Sequence, residues 1–548
     1  MVNESMITHE SLRTCFALSV LFLGASTVAL PQPKSTTVLR APDFHTLGDG
    51  QTDDTAALQK AIDTAIATHA TLEFPPGPGG GCYASGSLTI RDASNVTLRG
   101  TGGVLCWKGG KKGARIGLGY AGNLSDVTIE GLEITGAGPD EMYHAGIVAP
   151  SGANLKNIVI RKNYVHDVSI GISLNADLGG TLDGFLIAEN RVEDVIGTIA
   201  GYGYGIHDAN GSGKLSNGRI VANTLIDCQR NSIYQAKGSG IFIANNTILN
   251  HGGNRPRQSS PFTGIQVARG SDIVVTGNVV EGASDGSIYV GTDRKVPMHD
   301  ITIIGNKFID PRGALPVMTI GSPDPATDGY PEQVAVVGNT FVVKGARILS
   351  VQINSGKQIN IVGNSFQILR SPGFAAAVQI RGQGETFGSA LYTDDLNISH
   401  NEIAISTAGS GGVAFDVIPR ASASSISARF AGNIINAPSG PFLLEGSSKR
   451  RMVNEPVPDA HIHKQVALNA SAPSVVPGCF QLPVRFSGAA PGDTVRFGSA
   501  SSLATNLYLS GIVATPGQVT VKWCQLFGPP SDPDGPEGGN YFIDVWKH

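Results

Sequence analysis

IVIRKNYV (158–165), FLIAENRV (185–192), GRIVANTL (218–225), FIANNTIL (242–249), IVVTGNVV (273–280), ITIIGNKF (301–308), VAVVGNTF (334–341), INIVGNSF (359–366), LNISHNEI (396–403) and ARFAGNII (428–435) are copies of one phrase. In each, an alternating apolar strand runs into Asn and then resumes. The asparagines, Asn163, Asn190, Asn223, Asn246, Asn278, Asn306, Asn339, Asn364, Asn401 and Asn433, follow one another at intervals of 23 to 37 residues. A period in that range belongs to a repeat architecture. Because each unit alternates with period 2, the repeat is a coil of short strands, and stacked coils pair each strand with its copy in the next turn. The expected fold is all-β, a right-handed parallel β-helix of about twelve coils. At ~4.8 Å per coil the rod is on the order of 50 Å long. Asn suits the corner because it tolerates left-handed backbone angles and its amide can bond the Asn of the next coil. Two earlier segments, ending at Gly100 and containing Gly131, fit the same register with Gly in the corner.

Composition agrees. Of 548 residues 71 are Gly, only 15% are charged, and the 41% apolar share is spread over many short strands. A solenoid grows by stacking, so this length needs no oversized core. A net charge of −4 excludes charge-driven recognition of nucleic acid by the chain as a whole. At the start, Arg13 precedes an apolar run from Cys15 to Leu30 that is short for a membrane span and ends in small residues. Residues 1–29 read as a cleaved secretory signal, which places the mature chain in a secreted or periplasmic setting with no membrane span. There, Cys82 with Cys106, and Cys479 with Cys524, are close enough in sequence to staple neighbouring strands, and Cys228 is left over.

The solenoid is expected over residues 30–450. Near its start, Asp53 or Asp54 can cap a helix at about 54–68 whose Leu58, Ala61, Ile62, Ala65 and Ile66 form an apolar stripe able to plug the open end. The phrase GDGQTDDTAALQKAI (Gly48–Ile62), followed by LEFPPG (Leu72–Gly77), resembles the opening of the pectate-lyase-like β-helix superfamily. That group includes polysaccharide lyases, polygalacturonase-type hydrolases, alginate C5-epimerase modules and phage tailspikes. The resemblance, repeats included, covers about Ala41 to Pro438. It implies the scaffold and leaves the reaction open. Neither the NTD, DD, GHG and RIK series of polygalacturonases nor the DPHE phrase of alginate epimerases is present, the latter replaced by YGIHDANG from Tyr204. Beyond a linker marked by Pro456 and Pro458, residues 460–548 alternate with turn signals and read as a small β-sandwich for capping, assembly or carbohydrate binding.

Candidate chemistry lies on a second strand of each coil. GISLN from Gly171, GIHDA from Gly205, SIYQA from Ser232, GIQVA from Gly264 and SIYVG from Ser287 align on isoleucines that point inward. The residues after them, Ser173, His207, Tyr234, Gln266 and Tyr289, then point outward on successive rungs. Arg230, Arg269 and Arg294 flank these strands, and the loop NHGGNRPRQSSPF (250–262) brings His251, Arg255 and Arg257 to the rim. Together they would make the face locally positive, as a polyanionic sugar chain requires. Removing the C5 proton of a uronate needs its carboxylate neutralised, a base and an acid. His207, Tyr234 and Arg230 are assigned as catalytic, and Gln266, Tyr289, His251, Arg255, Arg257, Arg269, Arg294 and Ser173 as substrate-binding. β-Elimination is the first reading. Hydrolysis would need two carboxyls facing each other across the bond, from Asp208, Asp227, Asp285 and Asp293, of which Asp208 should point inward. A non-catalytic carbohydrate-binding or surface-assembly protein is the third reading. No metal or cofactor is required, although Asp183, Asp194, Asp227 and Asp285 leave room for Ca2+. A homo-oligomer such as a trimer is compatible with all three.

Overall fold

The computed structural model describes residues 37–546 except for 109–112, 120–121, 137–143, 150–151, 175–179, 198–202, 209–212, 251–262, 284–285, 292–297, 311–315, 324–328, 345–347, 372–373, 383–392, 408–411, 420–426, 439–441, 445–450, 455–460, 469–478, 486–493, 500–506, 516–517 and 526–538. The expected signal segment and the His251, Arg255, Arg257 and Arg294 positions therefore lie outside the described residues.

Each coil contributes three strands, as in Asn154–Arg161, Tyr164–Val168 and Ile170–Leu174. Their copies stack into three parallel sheets of 15, 13 and 13 strands, called here sheets I, II and III. The two shorter sheets count thirteen coils, one more than the repeat alone suggests, because the first coils lack the Asn phrase. Inside runs an apolar column contributed by every strand. Ile147, Ile172, Ile206, Ile233, Ile265 and Ile288 succeed one another in register on sheet III, each with at most 1% of its surface exposed. Phe308, Phe341 and Phe366 stack at 5.2 and 4.7 Å on sheet II. These rungs exclude water along the rod and supply the main driving force for its assembly.

The asparagine corner closes by side-chain pairing. Asn278 Nδ2 donates to Asn306 Oδ1 at 2.9 Å and to Ile243 O at 3.0 Å, and its backbone N–H donates to the same Asn306 Oδ1. The pattern repeats from Asn163 to Asn433. One expectation is corrected: the left-handed residue is the one before each Asn. Lys162, Glu189, Ala222, Asn245 and Gly277 have φ of 50° to 65°, whereas no Asn of the ladder does. The chain turns there so that the asparagine can face inward, which is why Gly recurs at this site in later coils. Gly131 takes the same left-handed position, and Leu132 stands where the Asn would be, its N–H bonded to Asn163 Oδ1.

At the N-terminal end the expected helix forms over Thr55–Thr68. Leu58, Ala61, Ile62 and Ala65 are fully buried in the core shared with the first coils, and Ile66 is partly so. Asp54 occupies the N-cap position, but its carboxylate turns away and accepts from Leu47 N at 2.7 Å and Gly48 N at 2.9 Å. Asp53 accepts from Thr55 N instead, and Asp49 from Gln51 N and Thr52 N. These backbone donors pull the Asp49 carboxyl down to about 2. The phrase shared with the superfamily is thus a self-closing turn. Cys82 and Cys106 form a disulfide between adjacent strands of sheet II, and Cys228 is buried as a free thiol. Beyond the last strand of sheet I, Arg451–Asn454, six strands between His461 and Trp546 form an antiparallel sheet. Cys479 and Cys524 lie opposite each other there, in register. Among the described residues no helix is long and apolar enough to cross a membrane.

Candidate active site

The outward column on sheet III exists as read from the sequence. Ser173 pairs with His207, His207 with Tyr234, Tyr234 with Gln266, and Gln266 with Tyr289. Before these residues comes a row of small ones, Gly171, Gly205, Ser232 and Gly264, where the strand bends against sheet II. At Gly205 a Cβ would sit 2.6 Å from Ser232 O and 2.7 Å from Cys228 Sγ, so a side chain there would clash with the wall.

His207 packs with two tyrosines in a three-ring cluster. Its ring centroid is 4.8 Å from that of Tyr204 and 5.2 Å from that of Tyr234, with the tyrosines 5.3 Å apart and all three planes within 23° of parallel. The Arg230 guanidinium lies 5.0 Å from the Tyr204 ring centre. Ser173 Oγ is 3.2 Å from His207 Nδ1. Beside them Asn231 Nδ2 donates to Gln266 Oε1 at 2.5 Å. His207, Tyr204 and Tyr234 are buried, whereas Arg230, Gln266 and Tyr289 are partly exposed at the surface of the column.

Burial, with a smaller contribution from the Arg230 charge, pushes the His207 pKa down to about 4. The imidazole is therefore neutral at pH 7. Its Nε2 is enclosed and has no hydrogen-bond partner among the described residues. Burial also raises the Tyr204 phenol, with Arg230 opposing, so that ring stays protonated. Such a group of perturbed titratable residues on an otherwise repetitive wall marks a functional-site candidate.

Asp208 points inward as expected. Its Oδ1 accepts from Ala236 N at 2.5 Å, while Oδ2 and both amide atoms of neighbouring Gln235 have no partner in the apolar interior. Burial raises the Asp208 pKa well above the carboxylate range. The same column continues in register through Thr319, Gln352, Gln379 and Asp416. Gln379 Nε2 donates to Asp416 Oδ2 at 2.6 Å and Arg381 Nε to Gln379 Oε1 at 2.8 Å, a buried network six rungs from Tyr234.

Of the sequence-assigned residues, the structure gathers Ser173, His207, Tyr234, Arg230 and Gln266, with Tyr289 on the next rung. Arg269 is buried, at 3% exposed. Arg230 packs on Tyr204. Tyr204 itself escaped sequence reading, since the bend at Gly205 breaks the alternation that located His207. Among the described residues no group of three or more His, Cys, Asp or Glu could hold a metal ion. Asp285 and Asp293 lie outside the described residues.

With three parallel sheets and an asparagine ladder in place, the chain has the right-handed parallel β-helix fold, and a family model described as a right-handed β-helix region matches residues 195–385. Within that class it is similar to mannuronan C5-epimerase AlgE5 of Azotobacter vinelandii, 27% identical over 274 residues that cover 42% of this chain and 26% of the relative. The matched part thus spans about a quarter of that protein. Among solved structures, the tailspike protein of E. coli bacteriophage HK620, in complex with a pentasaccharide, is 13% identical with a TM-score of 0.50 over 93% of each chain. The A-module of the A. vinelandii epimerase AlgE4 is 17% identical with a TM-score of 0.41, covering 76% of this chain and all of the module. At 13% identity the tailspike match shows the fold alone.

Proposed function

We propose that this protein acts on an acidic polysaccharide by removing the C5 proton of a uronate residue, and that β-elimination follows. The observation that carries the reading is a neutral imidazole, His207, packed against two tyrosines beside Arg230 on an outward wall. In this scheme Arg230 neutralises the sugar carboxylate, which makes the C5 proton acidic enough to leave. His207 Nε2 accepts that proton once substrate opens the enclosure around it. The electron pair forms the C4–C5 double bond and expels the C4 oxygen, which takes its proton from the Tyr234 hydroxyl. Proton return from the imidazolium to the phenolate resets the pair. Gln266 and Tyr289, exposed on the following rungs, extend the same face for neighbouring sugars.

The sequence likeness to a mannuronan C5-epimerase favours a second outcome of the same proton removal, return of a proton to the opposite face of C5. Hydrolysis finds less support, since Asp208 faces the interior. The Cys82–Cys106 disulfide and the apolar N-terminal run fit export to an oxidising compartment. The test is incubation with polymannuronate, polyguluronate and polygalacturonate in heavy water. Ultraviolet absorbance of an unsaturated product supports elimination. Deuterium at C5 without absorbance supports epimerisation. New reducing ends with neither signal would overturn proton abstraction, and binding without any change in the polymer would leave a carbohydrate-binding protein.

A further inference from the structure

We propose that Ser173 is a positioning residue that selects the tautomer of His207, its Oγ accepting the Nδ1 proton so that Nε2 keeps a free lone pair. The inference deepens the reading above and rests on it for the use of Nε2, while the tautomer itself follows from local hydrogen bonding.

The argument is one of hydrogen-bond closure. Ser173 and His207 stand on adjacent coils, directly paired in register, 3% and 9% exposed. Their contact, Oγ to Nδ1 at 3.2 Å, is the imidazole's hydrogen bond among the described residues. A hydroxyl can serve either ring form, donating to a bare Nδ1 or accepting from Nδ1–H. What separates the two forms is the far side of the ring. If Ser173 donated, Nε2 would carry a proton, and that N–H would be enclosed without an acceptor. Buried orphan donors are rarer and costlier than buried acceptors left short of a partner. The favoured form therefore has hydrogen on Nδ1 and a lone pair on Nε2. Tyr204 and Tyr234 pack against the ring, with centroids at 4.8 and 5.2 Å. Burial, and to a lesser extent Arg230 nearby, disfavours a charge on the imidazole, so the choice is between two neutral forms. The nitrogen that a base needs is thereby prepared by a residue that itself need not touch the sugar.

The sequence logic matches this role. Ser173 stands one rung before His207 on the outward column, where the preceding rungs carry Gly117 and Val148, neither able to bond an imidazole. A hydroxyl enters the column on the coil where His207 needs a partner.

The experiment is long-range proton–nitrogen NMR on full-length protein labelled with 15N-histidine, the His207 signals assigned by their loss in His207→Gln. At pH 7 the wild type is expected to show a protonated Nδ1 and an unprotonated Nε2. Ser173→Ala removes the acceptor, and the ring should move toward the Nε2–H form that free histidine favours in water. Ser173→Thr keeps the hydroxyl and should restore the wild-type spectrum. On a polyuronate that the wild type turns over, Ser173→Ala is expected to lower kcat by about tenfold or more at nearly constant KM, as wrong tautomers do, with Ser173→Thr recovering it. A wild-type spectrum with Nε2–H, or a Ser173→Ala spectrum identical to wild type, overturns the proposal. A spectrum as expected in a protein that turns over no polyuronate upholds the tautomer assignment and sinks the proposed reaction, so the two failures are told apart.

Discussion

The corner column from Asn163 to Asn433 and the outward column from Ser173 to Tyr289 climb the same coils at the same spacing, yet they satisfy their polar groups in opposite ways. Every asparagine bonds the next, so each amide oxygen and nitrogen is used by the ladder itself. On the outward column no residue type repeats on neighbouring rungs from Ser173 to Tyr289, and among the described residues His207 Nε2 has no hydrogen-bond partner. A repeated residue that closes on its own copies is explained by folding. A varied column with a polar atom to spare calls for a ligand.

The comparison breaks first on His207→Gln. If the outward column is catalytic, this change lowers turnover of a polyuronate by about 10²- to 10⁴-fold, the usual contribution of a positioned base, and leaves the melting temperature nearly unchanged. Equal loss of both would make His207 a structural residue. On the corner column the expectation reverses. Asn278→Ala deletes both Nδ2 bonds and strips Asn246 N and Nδ2 of their acceptor, at a cost of roughly 2–5 kcal/mol. Denaturant unfolding should report that loss while the folded fraction keeps wild-type kcat.

Third in size is the staple at the N-terminal end. Replacing Cys82 and Cys106 together by Ser opens a loop of 24 residues' separation and should cost about 3 kcal/mol by chain entropy, with kcat unaffected. Smallest are two pH effects of opposite sign. The His207 pKa falls from 6.5 unfolded to about 4 folded, so its contribution to stability is complete above about pH 6.5 and is lost as pH falls toward 4. The acid limb of kcat/KM should lie near the folded value rather than near 6.5. Asp208 is raised, so its contribution is complete below 3.8 and is lost as pH rises. Asp208→Asn should remove that alkaline loss, and His207→Gln the acid one, in melting curves followed against pH.

Much of this was legible in the chain. Period-2 alternation and a recurring Asn identify a stacked coil, and the isoleucine register places Ser173, His207, Tyr234, Gln266 and Tyr289 on one line, as their pairing bears out. Tyr204 was not legible, because the bend at Gly205 lets a residue three positions before His207 share its face. Nor was the left-handed step, which belongs to the residue before each Asn and is filled by Lys, Glu, Ala, Asn, His or Gly.

By itself, then, the sequence determined the coil, its rungs and the side chains that stand on each, since these depend on strand periodicity and on nearest-neighbour stacking. Only the tertiary structure decided which of those side chains are enclosed. Exposure depends on how neighbouring strands and adjoining coils meet around a ring, and that is what buries Arg269, packs His207 against two tyrosines, holds its imidazole neutral and sets Ser173 against Nδ1.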